Sequence, residues 1–155
     1  TWGEQKRVFS MIPALHDAEF VRYGVMHRNT YLNSPKLLDR YYRLRSDERI
    51  SFAGQMTGVE GYVESAASGM LVGIETAARV LGLESVDLPQ ETAIGALAEY
   101  ISGGSVGDFQ PMNINFGIIT PLGYRVKGKR NKNAEISRRS LEIIDKLLTK
   151  EVFRL

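Results

Sequence analysis

The chain has 155 residues, 43% of them apolar and 25% charged, the balance of a soluble globular protein with material for one domain and its own core. It has no cysteine, which excludes disulfides, thiolate metal sites and thiol nucleophiles, and with only His16 and His27 no zinc site is expected. Net charge is +2, no apolar run approaches the roughly 18 residues of a membrane span, and no signal-peptide layout opens the chain, so a cytoplasmic, membrane-free protein is expected. The sequence begins at Thr1 without a methionine, as a processed product or an excised piece would.

In chain order, residues 4–11 (EQKRVFSM) read as a short helix stopped near Pro13, and residues 20–26 (FVRYGVM) alternate as a strand does. Residues 27–35 (HRNTYLNSP) gather polar and turn-forming side chains around Tyr31 and Leu32, as expected in a loop or at a site margin. Residues 36–49 fit either a strand pair or a short amphipathic helix. Residues 50–53 form a short strand that runs into Gly54, Gly58 and Gly61, where the backbone must turn tightly and come close to a ligand.

A long helix over about 63–81 follows, with Gly82 as its C-cap. Val63, Ala67, Met70, Leu71, Ile74, Ala78 and Leu81 supply an ordinary buried stripe. Gly61, Ser65, Gly69 and Gly73 recur every four residues and form a second stripe that should face something flat, or a void filled from outside the chain. Interior glycines cost a helix roughly 1 kcal/mol each relative to Ala, so close approach has to offset them. A helix over 90–101 should carry Glu91 in its first turn, and residues 102–108 (SGGSVGD) should connect flexibly. Residues 109–122 are apolar but broken by two prolines, two asparagines and a glycine, which suggests an ordered, non-repetitive segment against a ligand or another domain. A basic loop over 125–133 then leads to a last helix over 134–149, with Ile136, Leu141, Ile144, Leu147 and Leu148 on one side.

Strand, glycine turn and helix together aim backbone N–H groups and a positive helix end at an anion, usually a phosphate, although such turns also close ordinary β-α units. The GxGxxG dinucleotide fingerprint is nowhere in the chain, so either no dinucleotide binds here or this is the second half of a larger protein. Glu60 and Glu64, four residues apart, suit either a ribose or ring nitrogen or simply the helix dipole. His27 suits a heterocycle or a structural hydrogen bond; Asn113, Asn115 and Phe116 offer amides and an aromatic face, or a turn. Arg125, Lys127, Lys129, Arg130 and Lys132, with Arg138 and Arg139, form either a solvated surface or a set of phosphate contacts with RNA. No catalytic carboxylate pair, Ser/His/Asp set or metal cluster stands out.

Four separated stretches, TWGEQKRVF (1–9), FVRYGVMHRNTYLNSP (20–35), FAGQMTGVEGYVESAASG (52–69) and FQPMNINFG (109–117), resemble the C-terminal portion of the folate- and flavin-dependent tRNA (uracil-5-)-methyltransferases. The resemblance covers essentially the whole chain. It implies an α/β fold of mixed α and β: the C-terminal part of a Rossmann-like FAD-binding domain (residues 50–155) plus part of an inserted substrate and folate-side lobe (residues 1–49), lacking the N-terminal dinucleotide-binding unit. It further implies FAD, methylenetetrahydrofolate as carbon donor, NAD(P)H as the source of reducing power, and 5-methyluridine in the tRNA T-loop as product. The family's catalytic cysteines lie in its N-terminal region, so this chain alone is expected to be inactive and to need the remainder of the enzyme as partner.

On the positions that match, Gly54, Gln55, Thr57, Gly58 and Val59 should line the flavin, and Gly61 and Tyr62 should begin the helix beneath it. His27, Arg28 and Asn29 should face the flavin ring or folate from the adjoining lobe, while Asn113, Asn115 and Phe116 close the far side. Two alternatives stand beside this: the related flavoprotein that builds carboxymethylaminomethyl groups on wobble uridines, and an RNA-binding module without catalysis using residues 125–139.

Overall fold

The computed structural model, which describes residues 1–24, 29–104 and 108–149, is a mixed α and β structure dominated by helices. Its helices are α1 (Trp2–Phe9), α2 (Ser34–Leu37), α3 (Tyr62–Leu81), α4 (Ala93–Glu99) and α5 (Lys129–Leu147). One antiparallel pair, β1 (Arg43–Leu44) with β2 (Asp47–Ser51), is the only sheet among the described residues, with Arg43 opposite Ser51 and Leu44 opposite Asp47.

The open choice at residues 36–49 resolves as one short helix followed by this hairpin. Asp39 explains why the chain turns there. Its carboxylate accepts the N–H groups of Tyr41 (2.9 Å) and Arg43 (3.0 Å) and the Arg43 Nε (2.7 Å), which folds residues 39–43 into a knot. Tyr42 at its apex takes φ 64, a conformation that costs an L-residue roughly 1–2 kcal/mol. The ring is fully buried, and that burial pushes the phenol well above its usual titration range. The Tyr42 carbonyl then accepts the Phe52 N–H (3.0 Å), fixing the strand that enters the glycine turn.

Several sequence expectations need correction. Residues 20–24 are not a strand: Phe20 instead stacks on Tyr23 (5.1 Å between ring centres) and on Phe9 of α1 (5.4 Å), and aromatic packing without a partner strand leaves no ladder to form. Glu91 does not enter the first turn of α4, because the cap falls at Thr92, whose hydroxyl accepts the Gly95 N–H (3.1 Å) and donates to the Pro89 carbonyl (2.8 Å). Helix α5 starts at Lys129, so half of the expected basic loop is helical.

The largest correction concerns α3. Gly61 (φ 95) and Gly82 (φ 69) bound it as expected, but its buried positions are Ser68, Leu71, Glu75 and Ala78. Of the expected apolar stripe, Leu71 and Ala78 face the core while Val63, Met70 and Leu81 are exposed. The reason is the far wall: Glu75 accepts the Val86 N–H (2.5 Å) and anchors residues 83–88 across that face, with Val86 and Leu88 buried alongside Leu38, Tyr42 and Leu97. A polar anchor, invisible to a count of apolar residues, turns the helix. A smaller cluster of Ala96, Ile119 and Ile136 holds α5, and Arg139 locks it further by donating to the carbonyls of Thr120 and Pro121.

Candidate functional site

The glycine turn is built from its own hydrogen bonds. After β2, residues Gly54–Thr57 make one 3-10 turn closed by Gly58 at φ 86, whose N–H donates to the Gln55 carbonyl (3.0 Å). The Gly54 N–H donates to Ser68 Oγ (2.8 Å) on α3, and the Thr57 hydroxyl returns to the Gly54 carbonyl (2.7 Å). From the other side, the Leu32 N–H donates to the Met56 carbonyl and Ser34 Oγ to the Thr57 carbonyl, both at 2.8 Å. Residues 29–35 are thereby fixed against the turn.

A second segment pairs with its exit. Met112 N–H donates to the Gly58 carbonyl and Glu60 N–H to the Met112 carbonyl, both at 3.0 Å, a single parallel bridge between Val59 and Met112. It delivers Asn113 to the start of α3, where the Asn113 amide and the Glu64 carboxylate both lie over Gly61; a Cβ there would sit 2.8 Å from Asn113 Nδ2 and collide with Glu64. Three separated stretches therefore meet at one polar cleft of about 530 Å³, lined by Asn29, Gln55, Glu60, Gly61, Tyr62, Ser65 and Asn113.

The expected site residues divide sharply. Gln55, Gly61, Tyr62, Asn113 and Asn29 line the cleft. Thr57, Gly58 and Val59 are buried behind it, and Gly58 is required by the Phe109 ring, which a Cβ at 58 would penetrate. Gly54 lies against Ser65, where a Cβ would be 3.5 Å from its neighbour. Asn115 and Phe116 face elsewhere, lining a separate apolar cleft of about 350 Å³ with Ile119, Ile136 and Leu141. His27 and Arg28 lie outside the described residues. Ser65 was read only as a small residue of the helix stripe; its place four residues after Gly61, one turn up from the helix start, is the signal that puts its hydroxyl at the cleft.

The chemistry of this lining departs from the anion cradle that the turn's layout suggests. The N–H groups of Gly54, Gly58 and Glu60 are already engaged within the protein, Glu60 contributes a carboxylate, and no Lys or Arg among the described residues lines the cleft. Amides, a hydroxyl and an acceptor carboxylate suit instead a neutral ligand rich in N–H, O–H and carbonyl groups.

A sequence profile of the family described as Glucose inhibited division protein A matches residues 1–84, more than half of the chain and the whole approach to the cleft through α3. The chain belongs to that family. Among its relatives, proteins named methylenetetrahydrofolate--tRNA-(uracil-5-)-methyltransferase TrmFO are similar over nearly all of it. The one from Acetivibrio thermocellus is 55% identical over 149 residues (96% of this chain, 34% of the relative). Those from Bacillus pumilus (57% over 143 residues, 92% and 33%) and Streptococcus agalactiae (57% over 148 residues, 95% and 33%) agree. The chain thus spans about a third of the length of the curated relatives it matches.

The basic segment of this family member lies apart from the cleft. Arg125, Lys127, Lys129, Arg130 and Lys132 are all exposed, and none is in an ion pair among the described residues. Arg138 and Arg139 differ from them. Arg138 is shared between Glu135 (2.5 Å) and Glu142, and Arg139 is spent on the two carbonyls that dock α5. Arg138 and a hydrogen bond from the Tyr124 hydroxyl (2.6 Å) hold the Glu135 carboxyl at about 2, while the same contact raises the Tyr124 phenol. No helix of the described residues is long and apolar enough to cross a membrane.

Proposed function

We propose that this chain forms one wall of the flavin site of an enzyme that makes 5-methyluridine in the tRNA T-loop, taking the carbon from methylenetetrahydrofolate and working in the cytoplasm. The observation that carries the reading is the meeting of Asn29, residues 55–65 and Asn113 at one cleft, in a chain 55% identical to a relative named as a methylenetetrahydrofolate--tRNA-(uracil-5-)-methyltransferase. The lining suits the ring and polyol side of FAD, which presents imide N–H, carbonyl and hydroxyl groups, more than the half that carries its pyrophosphate. That half belongs on a glycine fingerprint this sequence lacks. A Rossmann-like FAD-binding domain, completed by the remainder of the enzyme, would supply it.

In this reading Gln55 and Asn113 offer amides to the ring edge, Glu60 accepts from an N–H or hydroxyl, and Ser65 Oγ and Asn29 bond the polyol. Tyr62 flanks the opening. FAD held by these residues, and kept reduced by NAD(P)H, would supply the two electrons needed to bring the folate-borne methylene carbon to a methyl group. The chain's own residues bind and orient; the family's catalytic cysteines are expected in the remainder of the enzyme.

The basic residues 125–132 are proposed to hold the tRNA backbone. Lys129 and Arg130 occupy the first turn of α5, where cations oppose the helix dipole by about 0.3–1 kcal/mol each, a cost that phosphates would remove. The test of the function is the product. A chimera in which this chain replaces the matched third of the Acetivibrio thermocellus relative, given tRNA, methylenetetrahydrofolate and NADPH, should form 5-methyluridine in the T-loop. Modification of the wobble uridine instead would favour the carboxymethylaminomethyl enzyme, and RNA binding with no product at all would favour a binding module.

A further inference from the structure

Helix α3 carries its charges on the wrong side for a surface helix. Its charged residues are Glu64, Glu75 and Arg79; Glu75 is buried, Glu64 is half-buried at the cleft, and Arg79 reaches sideways to the Glu48 carbonyl. The face turned away from the core holds Tyr62, Val63, Gly69, Met70, Gly73 and Val80, with no charge over the helix's 20 residues. Tyr62 is 98% exposed, Val80 76% and Met70 62%, and a Cβ added at Gly69 or Gly73 would meet nothing within 4 Å. A packed helix whose outward face is uncharged and largely apolar belongs between two layers, and an exposed apolar face of this length marks an interface.

We propose that this face is the docking surface for the polypeptide corresponding to the two-thirds of the relatives that the chain does not match. Three observations select that occupant. The matches cover only 33–34% of each relative, which leaves a polypeptide long enough to cover the strip. The strip lacks charge, so it suits a permanent apolar contact within one folded unit better than a transient polar partner. Its N-terminal end is Tyr62, on the rim of the polar cleft, so an element lying along α3 arrives at the cleft and supplies its second wall. The missing Cβ atoms of Gly69 and Gly73 let that element approach the helix backbone closely. The inference rests on family membership and stands whether or not the cleft holds flavin.

The absence of native cysteine allows a clean test by thiol labelling. Ala77→Cys and Thr76→Cys, on the exposed face, are compared in the isolated chain and in the chimera with the Acetivibrio thermocellus relative, each site read by peptide mass. Lys127→Cys serves as the exposed reference and Ala98→Cys, 2% exposed, as the buried one. Labelling at 76 and 77 should be at least about tenfold slower in the chimera, with both references unchanged. Equal rates in the two proteins, or protection that grows with the concentration of the isolated chain and so assigns the face to a second copy, would overturn the proposal. Met70→Glu reads the same surface without a label: it should leave the thermal midpoint of the isolated chain unchanged and lower that of the chimera, and equal midpoints in both would also overturn it.

Discussion

At residue 58 a methyl group would enter the Phe109 ring, and the backbone there is left-handed, so two costs fall on one substitution. Gly58→Ala should destabilise the chain by about 3 kcal/mol, the sum of roughly 1 for the conformation and 2 for the overlap. In a Phe109→Ala background only the conformational part should remain, about 1 kcal/mol, as a double-mutant cycle by urea unfolding would read. Equal costs in both backgrounds would mean that the ring is not what Gly58 accommodates. The same logic applies to Glu75, the anchor of residues 83–88. Glu75→Leu leaves the Val86 N–H buried without a partner and should cost about 2 kcal/mol, whereas Glu75→Gln keeps an acceptor and should cost less. The need for glycine at 58 was readable from the sequence; its cause was not, because Phe109 lies far along the chain and only the Val59 to Met112 bridge brings it near. Glu75 was invisible for a related reason: a polar side chain inside an apolar periodicity gives no sign that it will be buried and paired.

At the scale of elements, the long helix, its glycine ends and the final helix were legible, since glycine conformational freedom and apolar periodicity are local properties. The orientation of α3 was not. Its apolar residues surround the helix, and periodicity cannot choose between two apolar faces; the choice was made by Ser68 bonding Gly54 and by Glu75 bonding Val86. The cap of α4 shows a similar lapse, because Glu91 suits a first turn and Thr92 suits a cap, and the hydroxyl prevails by satisfying the Gly95 N–H. Thr92→Ala should lower stability by about 1 kcal/mol and Thr92→Ser by less, measured by thermal unfolding. On α5 the Glu135 carboxyl, held at about 2 by Arg138 and Tyr124, gives a pH signature. A depressed carboxyl contributes stability above its unfolded value, near 4.5, and loses it as pH falls towards 2. Glu135→Gln should therefore remove part of the acid sensitivity of the helical circular dichroism in that window and leave the neutral range alike; an unchanged acid titration would show that the pair does not support α5.

For the whole molecule, the division of labour between a polar cleft and a basic segment makes separate predictions. If residues 125–132 hold tRNA phosphates, neutralising Lys127, Lys129 and Arg130 together should flatten the slope of log affinity against log salt by about 2–3, whereas Arg138→Ala, already committed to Glu135 and Glu142, should barely move it. Filter binding at several salt concentrations reads both, and an affinity indifferent to salt would dismiss the electrostatic contact. Of the residues expected around the flavin, the structure brings Gln55, Gly61, Tyr62 and Asn113 to one cleft together with Asn29, expected from the adjoining lobe, and sets Asn115 and Phe116 on another. An irregular segment such as 109–122 can turn successive side chains to different surfaces, and no periodicity records which.

Flavin content of the chimera tests the central claim most directly. Purified with Asn113→Ala, or with Gln55→Ala and Ser65→Ala combined, it should lose most of its yellow absorbance per polypeptide and regain it only at raised FAD. The Lys127, Lys129 and Arg130 variant should keep full occupancy. Undiminished flavin in the cleft variants would contradict the assignment of this cleft to the ring and polyol side of the cofactor.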